Sequence, residues 1–191
     1  MKFNKKILIA LIVIVLLLAG GVAGYLIDNH KTLYHFETVA SGKIYRSGCL
    51  SRKGSLRGFE KVWKMTGLKT IINLRSEKEA ENSKWYELEK DFAKSRGINL
   101  VNIPMLTDTP PSDAQIKQFL SIVTNPDMLP ALIHCEAGVI RTGMMIAVYK
   151  VSVLKEKNEK VFRELPMYGH GFDNRLAVKD FILNYGKKNS K

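Results

Sequence analysis

An α/β fold is predicted, with a central mostly parallel sheet flanked by helices and preceded by one N-terminal apolar helix. Short β-branched runs alternate with stretches of helical length, the pattern of strands joined by helical crossovers. Cap and turn residues punctuate those runs at their boundaries. A third observation separates the N-terminus from the rest: the stretch from Ile7 to Ile27 carries no charge. The 191 residues, 46% hydrophobic and 25% charged, suit one domain with a short appendage. That composition excludes a disordered chain, and two cysteines are too few for a disulfide-stapled miniprotein. A polytopic membrane protein is excluded as well, because no other apolar run is long enough to span.

Taken in order, residues 1–27 read as a signal anchor or a signal peptide. Lys2, Lys5 and Lys6 precede the uncharged run, which is close to the length that crosses a hydrocarbon core as a helix. Its apolar centre, Ile7 to Ala19, followed by the small residues Gly20 to Gly24, resembles a cleavable export signal. The resumed apolar run Tyr25-Leu26-Ile27 favours an uncleaved anchor. Under either reading the lysines stay inside and the remainder faces the outside of the cytoplasm, membrane-anchored or released. Gly21 stands where a lipidated cysteine would be needed, so lipoprotein processing is not supported.

Residues 28–35 read as a linker and 36–191 as the folded domain. Phe36 to Val39 and Lys43 to Arg46 are strands around a Ser41-Gly42 turn. Leu56 to Met65 is helical and stops at Gly67, and Lys69 to Leu74 is a buried strand. Ser76 with Glu79 forms a capping box that opens a helix to about Arg96, closed by Gly97. Ile98 to Ile103 is a strand and Pro104 to Pro111 a loop. Ser112 with Gln115 opens a second boxed helix that ends before Pro126. Pro130 to His134 is a strand that runs straight into Cys135; a helix follows Arg141 to about Lys155, with two shorter helices beyond.

The chemistry concentrates in His134-Cys135-Glu136-Ala137-Gly138-Val139-Ile140-Arg141-Thr142-Gly143. A strand delivers a thiol to a short loop, and the following helix N-terminus presents free N–H groups that favour an anion. A cysteine in that field is expected to ionise near neutrality. The planar fork of Arg141 can bridge two phosphoryl oxygens, and the Thr142 hydroxyl can donate to the sulfur as it leaves. His134 points away from the turn by strand alternation and is expected to order the loop.

This stretch resembles the Cys-x5-Arg signature loop of protein tyrosine and dual-specificity phosphatases. Lys43 to Ser47, Lys69 to Glu79 and Leu132 to Cys135 are similar to exported bacterial members of the dual-specificity group, and the likeness covers most of residues 36–191. It implies hydrolysis of phosphomonoesters through a phosphocysteine on Cys135, with no metal and no cofactor. The backbone of Glu136, Ala137, Gly138, Val139, Ile140 and Arg141 would hold the phosphoryl oxygens. It also implies an acid on a loop before the signature. Asp108 is preferred over Asp113, whose place in a first helical turn is explained by the helix dipole. Lipid- and inositol-directed relatives tend to carry basic residues inside the loop; here its variable positions are acidic or apolar, which points to a phosphorylated protein, phosphotyrosine first. The alternatives are an inositol-phosphate or phosphoinositide phosphatase and a catalytically inactive phosphate-binding module.

Other features carry blander readings. Cys49 reads as a small core residue, the alternative being a redox pair with Cys135. His170 reads as a loop residue, and Trp63, Trp85 and Tyr86 as helix packing. The net charge of +12 is spread along the chain, with no zinc-ligand spacing and no aromatic-basic stripe, so nucleic acid is not an expected partner. The expected partners are the phosphorylated substrate and, if residues 7–27 are uncleaved, the membrane.

Overall fold

A computed structural model describes residues 5–166, 168 and 174–187. Helix α1 (Lys5–Thr32) contains a 22-residue span of mean hydropathy 2.4, none of it buried. It carries on past Ile27, so the first part of the segment read as a linker, 28–32, is helical. Then come β1 (Glu37–Ala40), β2 (Ile44–Ser47), α2 (Arg57–Thr66), β3 (Thr70–Asn73), α3 (Glu77–Ala80), α4 (Lys84–Arg96), β4 (Asn99–Asn102), α5 (Asp113–Val123), β5 (Ala131–His134), α6 (Ile140–Ser152), α7 (Asn158–Glu164) and α8 (Leu176–Asn184).

The sheet order is β1-β2-β5-β3-β4. Only β1 runs antiparallel; β2, β5, β3 and β4 are parallel neighbours. β5 is therefore central and buried along its whole length, as its unbroken apolar run requires. Strand alternation divides the core. Ile44, Ile72 and Ile133 face a cluster with Phe119, Met144 and Val148, whereas Tyr45, Ile71 and Leu132 face one with Phe59, Val62 and Phe92. Helices α5 to α8 cover the first face; α2 and α4 cover the second.

One expected helix is two. The capping box at Ser76 is present, but α3 ends at Ala80 and α4 begins at Lys84. Asn82 between them sits at φ +52, a left-handed conformation that asparagine tolerates better than most residues. The polar run Glu81-Asn82-Ser83 buries nothing that would hold a continuous helix, and Ser83 Oγ donates instead to Ala80 O at 2.9 Å. His170 lies outside the described residues.

Candidate active site

The central strand ends at His134, and after five intervening residues α6 begins at Ile140. The segment between them is held from several sides. Gly138 has φ +73, and a Cβ there would stand 2.3 Å from Ser47 O, so only glycine fits. Its N–H donates to Cys135 Sγ at 3.2 Å, which folds the loop around the sulfur. On the outer flank the chain leaving β2 is laced to the loop. Cys49 N–H donates to Glu136 O at 2.8 Å, and the Arg46 guanidinium donates to Gly138 O. From the N-terminal side, His35 Nδ1 donates to Ala137 O at 2.7 Å. The His35 ring is stacked between Tyr34 and Tyr168, with centroids 4.1 and 3.8 Å away.

His134 follows strand alternation onto the α4 side. Its Nε2 meets Glu89 Oε1 at 3.0 Å and its Nδ1 meets Cys135 O at 3.2 Å, with both side chains of the His–Glu pair fully buried. Cys135 and Arg141 are each only 3% exposed, so the sulfur and the fork look into a water-poor site. Thr142 is buried too, and its Oγ1 makes no hydrogen bond, so the bond to the sulfur expected of it is not made in this state.

Sequence reasoning missed the partner of Arg141. Both terminal nitrogens of the guanidinium meet the two oxygens of Glu79, NH2 at 3.1 Å, and NH1 also reaches Met105 O at 3.4 Å. Ser76 N–H and Oγ donate to the same carboxylate at 2.9 and 2.8 Å, and Arg75 Nε at 3.1 Å. Burial alone would raise the Glu79 carboxyl; hydrogen bonds from Arg141 and Ser76 overcome it and hold it at about 2. Burial is likewise the largest single influence on the Arg141 cation and opposes it, but the Glu79 bond together with the charges of Cys135 and Glu79 pushes that guanidinium up. The capping-box glutamate thus also orients the fork of Arg141. The available signal was its place just beyond the carboxyl end of β3, the strand beside β5.

Arg46 was missed as well. It is 1% exposed, and its Nε and NH1 have no hydrogen-bond partner. Burial lowers its pKa, while the charges of Tyr168, Glu37 and Cys135 act in the opposite direction. The Gly138 carbonyl that accepts from this guanidinium and the nearby charge of Glu37 offset part of the cost of burying it.

The two candidate acids are placed differently. Asp108 lies in an exposed turn with its carboxylate on Arg175 Nε at 2.7 Å, rather than on the Cys135 loop. Asp113 is the first residue of α5, behind the Ser112 cap, as its dipole reading expects. Both thiols are free; burial raises the Cys49 thiol, whose sulfur lies 3.5 Å from Ser51 Oγ. Among the described residues no cluster of His, Cys, Asp and Glu is arranged to hold a metal ion.

This geometry has known counterparts. The family described as "PTP-NADK: DSP-PTPase phosphatase fused to NAD+ Kinase" matches residues 38–178. NAD kinase 2, chloroplastic, of Arabidopsis thaliana is 35% identical over 85 residues, 44% of this chain and 8% of that protein. The chain spans less than a tenth of the length of the plant NAD kinases it matches. Dual specificity protein phosphatase H1 of variola virus is 27% identical over 133 residues, 62% of this chain and 77% of the viral protein. Among solved structures, the core catalytic domain of the PP-IP phosphatase Siw14 from S. cerevisiae superposes with a TM-score of 0.64 at 26% identity, covering 81% of this chain and 87% of that one.

Proposed function

The chain belongs to the DSP-PTPase family of phosphatases described as fused to NAD+ kinase, and from that premise we propose that it dephosphorylates proteins, phosphotyrosine first, through a phosphocysteine on Cys135. What carries the reading is the buried Cys135–Arg141 loop, in which Gly138 N–H already points at the sulfur and Glu79 holds the fork of Arg141. The thiolate attacks phosphorus in line; the P–O bond to the leaving oxygen breaks, and Asp108 gives that oxygen its proton. Water then attacks the phosphocysteine with Asp108 as base, the P–S bond breaks, and Cys135 returns to its thiolate. The N–H groups of residues 136–141 and the Arg141 fork stabilise the equatorial oxygens in both steps. For this, Asp108 must exchange Arg175 for the leaving group, which its exposed position allows. Thr142 Oγ1, buried and unpartnered, is available to the sulfur once phosphorus departs.

Phosphoprotein is favoured by the loop interior, where Glu136 adds a negative charge and Ala137, Val139 and Ile140 are apolar. A polyphosphorylated ring would need added cations there. The second reading, an inositol pyrophosphate, is favoured by the likeness to the yeast PP-IP phosphatase. We further propose that α1 is an uncleaved anchor that places the domain outside the cytoplasm.

The test is metal-free hydrolysis of a phosphotyrosine peptide panel beside inositol pyrophosphates, using the full chain in detergent. Cys135→Ser is expected to abolish activity and Asp108→Asn to lower kcat by roughly 10²-fold. Faster turnover of the inositol pyrophosphates overturns the protein reading. No turnover of either class leaves a phosphate-binding module.

A further inference from the structure

We propose that a cationic cleft where α1 meets α2 binds the phosphate of an anionic phospholipid headgroup, and that this contact seats the domain on the bilayer surface. The inference rests on the anchor reading of α1 and on cationic side chains that take no part in the proposed chemistry, although Tyr34 and Cys49 at the edge of the cleft adjoin the Cys135 loop.

The end of α1 is fixed against α2. Arg57 sets both terminal nitrogens on the Asp28 carboxylate at 2.9 and 3.3 Å, and Lys61 Nζ donates to Asn29 Oδ1. The Lys61 ammonium also lies 5.4 Å from the centroid of the Tyr25 ring. Gly58 allows the close approach, because a Cβ there would stand 2.7 Å from Thr32 O. The depth of this contact follows from helix geometry. The apolar run ends at Ile27 and the helix at Thr32, five residues or about 7 Å further along the axis, which is about the thickness of one headgroup layer.

At that level the junction opens a cleft of about 190 Å³ between the last turn of α1 and residues 49–58. Lys31, Arg52, Lys53 and Arg57 line it, against one carboxylate, Asp28, that Arg57 already occupies. Among the described residues Lys31, Arg52 and Lys53 are paired with no carboxylate, and all three are exposed. Arg52 is held in place by its guanidinium lying 3.5 Å over the Tyr34 ring. The volume is below the roughly 300 Å³ of ordinary small-molecule sites, so the cleft suits a small charged group rather than a large ligand. Cations in a headgroup layer select anionic lipids. A lipid phosphate already stands at this height, whereas a soluble anion must be gathered from solution.

The experiment counts lipids retained by the full chain in detergent micelles, by native mass spectrometry, with phosphatidylglycerol or phosphatidylcholine titrated in. One phosphatidylglycerol is expected to be kept over phosphatidylcholine by about tenfold or more, and Arg52→Glu combined with Lys53→Glu is expected to erase that preference. Lys117→Glu, an exposed charge reversal on α5, should leave it intact. If the double variant melts below the wild type in lipid-free micelles, Lys53→Gln alone carries the comparison, with a partial loss expected. Equal retention of the two lipids, or an unchanged preference in the cleft variants, overturns the proposal. So does displacement of the lipid by millimolar inorganic phosphate, which assigns the cleft to a soluble anion. The mass of the chain recovered from cell membranes tests the anchor separately: loss of residues 1–27 overturns that reading and the lipid assignment with it, whatever the micelle count.

Discussion

Between Cys135 and Arg141 the chain is mostly buried and fastened by β2, by His35 and by its own glycine, whereas from Leu106 to Thr109 it is exposed and its acid is tied by one ion pair. The two loops leave β5 and β4, on either side of β3 in one sheet, yet one is fastened from several sides and the other loosely held. The difference follows from what each would contribute to phosphoryl transfer. An anion cradle stabilises charge best when its donors need no reorganisation as the charge develops. A proton donor has to meet a leaving group, hand over a proton, and let the product go. Rigidity serves the first task and hinders the second.

The sharpest way to break the rigid side is Gly138→Ala. The added methyl meets Ser47 O at 2.3 Å, and φ +73 is strained for alanine. The loop must move away from β2 and take the sulfur with it, and misplacement by about 1 Å costs on the order of 10²-fold in rate. We expect kcat/KM to fall by at least that much and thermal denaturation to show a loss of about 1–3 kcal/mol. A Gly138→Ala protein with near wild-type turnover would show that the clamp is ornamental.

Glu79→Gln weakens the same side from beneath. Removing one charge-assisted partner of Arg141 is expected to lower kcat/KM by about tenfold to a hundredfold. Acid denaturation supplies an independent readout. The Glu79 carboxyl is depressed from 4.5 to about 2, so its contribution to stability is fully present above the unfolded value and is lost as pH falls towards 2. Denaturant midpoints should therefore decline less steeply between pH 4.5 and 2 in Glu79→Gln than in the wild type, while the variant is the less stable of the two at pH 7. Parallel declines in the two proteins would show that the carboxylate holds no special place.

What could be read in the sequence follows the same division. The strand into Cys135, the glycine turn and the caps at Ser76 and Ser112 are local patterns, and the structure shows the strand, the turn and both caps where they are expected. The fastenings are not local. Arg46 reads as one residue of a hairpin, and only parallel pairing with β5, in register with Ile133, buries it beneath the loop. Glu79 satisfies a capping box so completely that nothing in the sequence asks for a second duty; β3 beside β5 brings Arg141 to it. The break at Asn82 and the extension of α1 to Thr32 were missed because each turns on a few residues whose own preferences are weak.

The smallest effect is expected on the exposed side, from Arg175→Ala. The Asp108–Arg175 pair is short, 2.7 Å, but the two side chains are 30% and 66% exposed, and such pairs are worth about 0–1 kcal/mol. Thermal stability should therefore change little, and kcat should stay within about fivefold of the wild type, since releasing the acid costs no more than that pair supplies. The sign carries the information. A modest rise in kcat would mean that Arg175 competes with the leaving group for Asp108, as a weak resting tie does. A fall as large as that of Asp108→Asn would mean that Arg175 positions the acid during the reaction, and the contrast between a fixed cradle and a free acid would have to be abandoned.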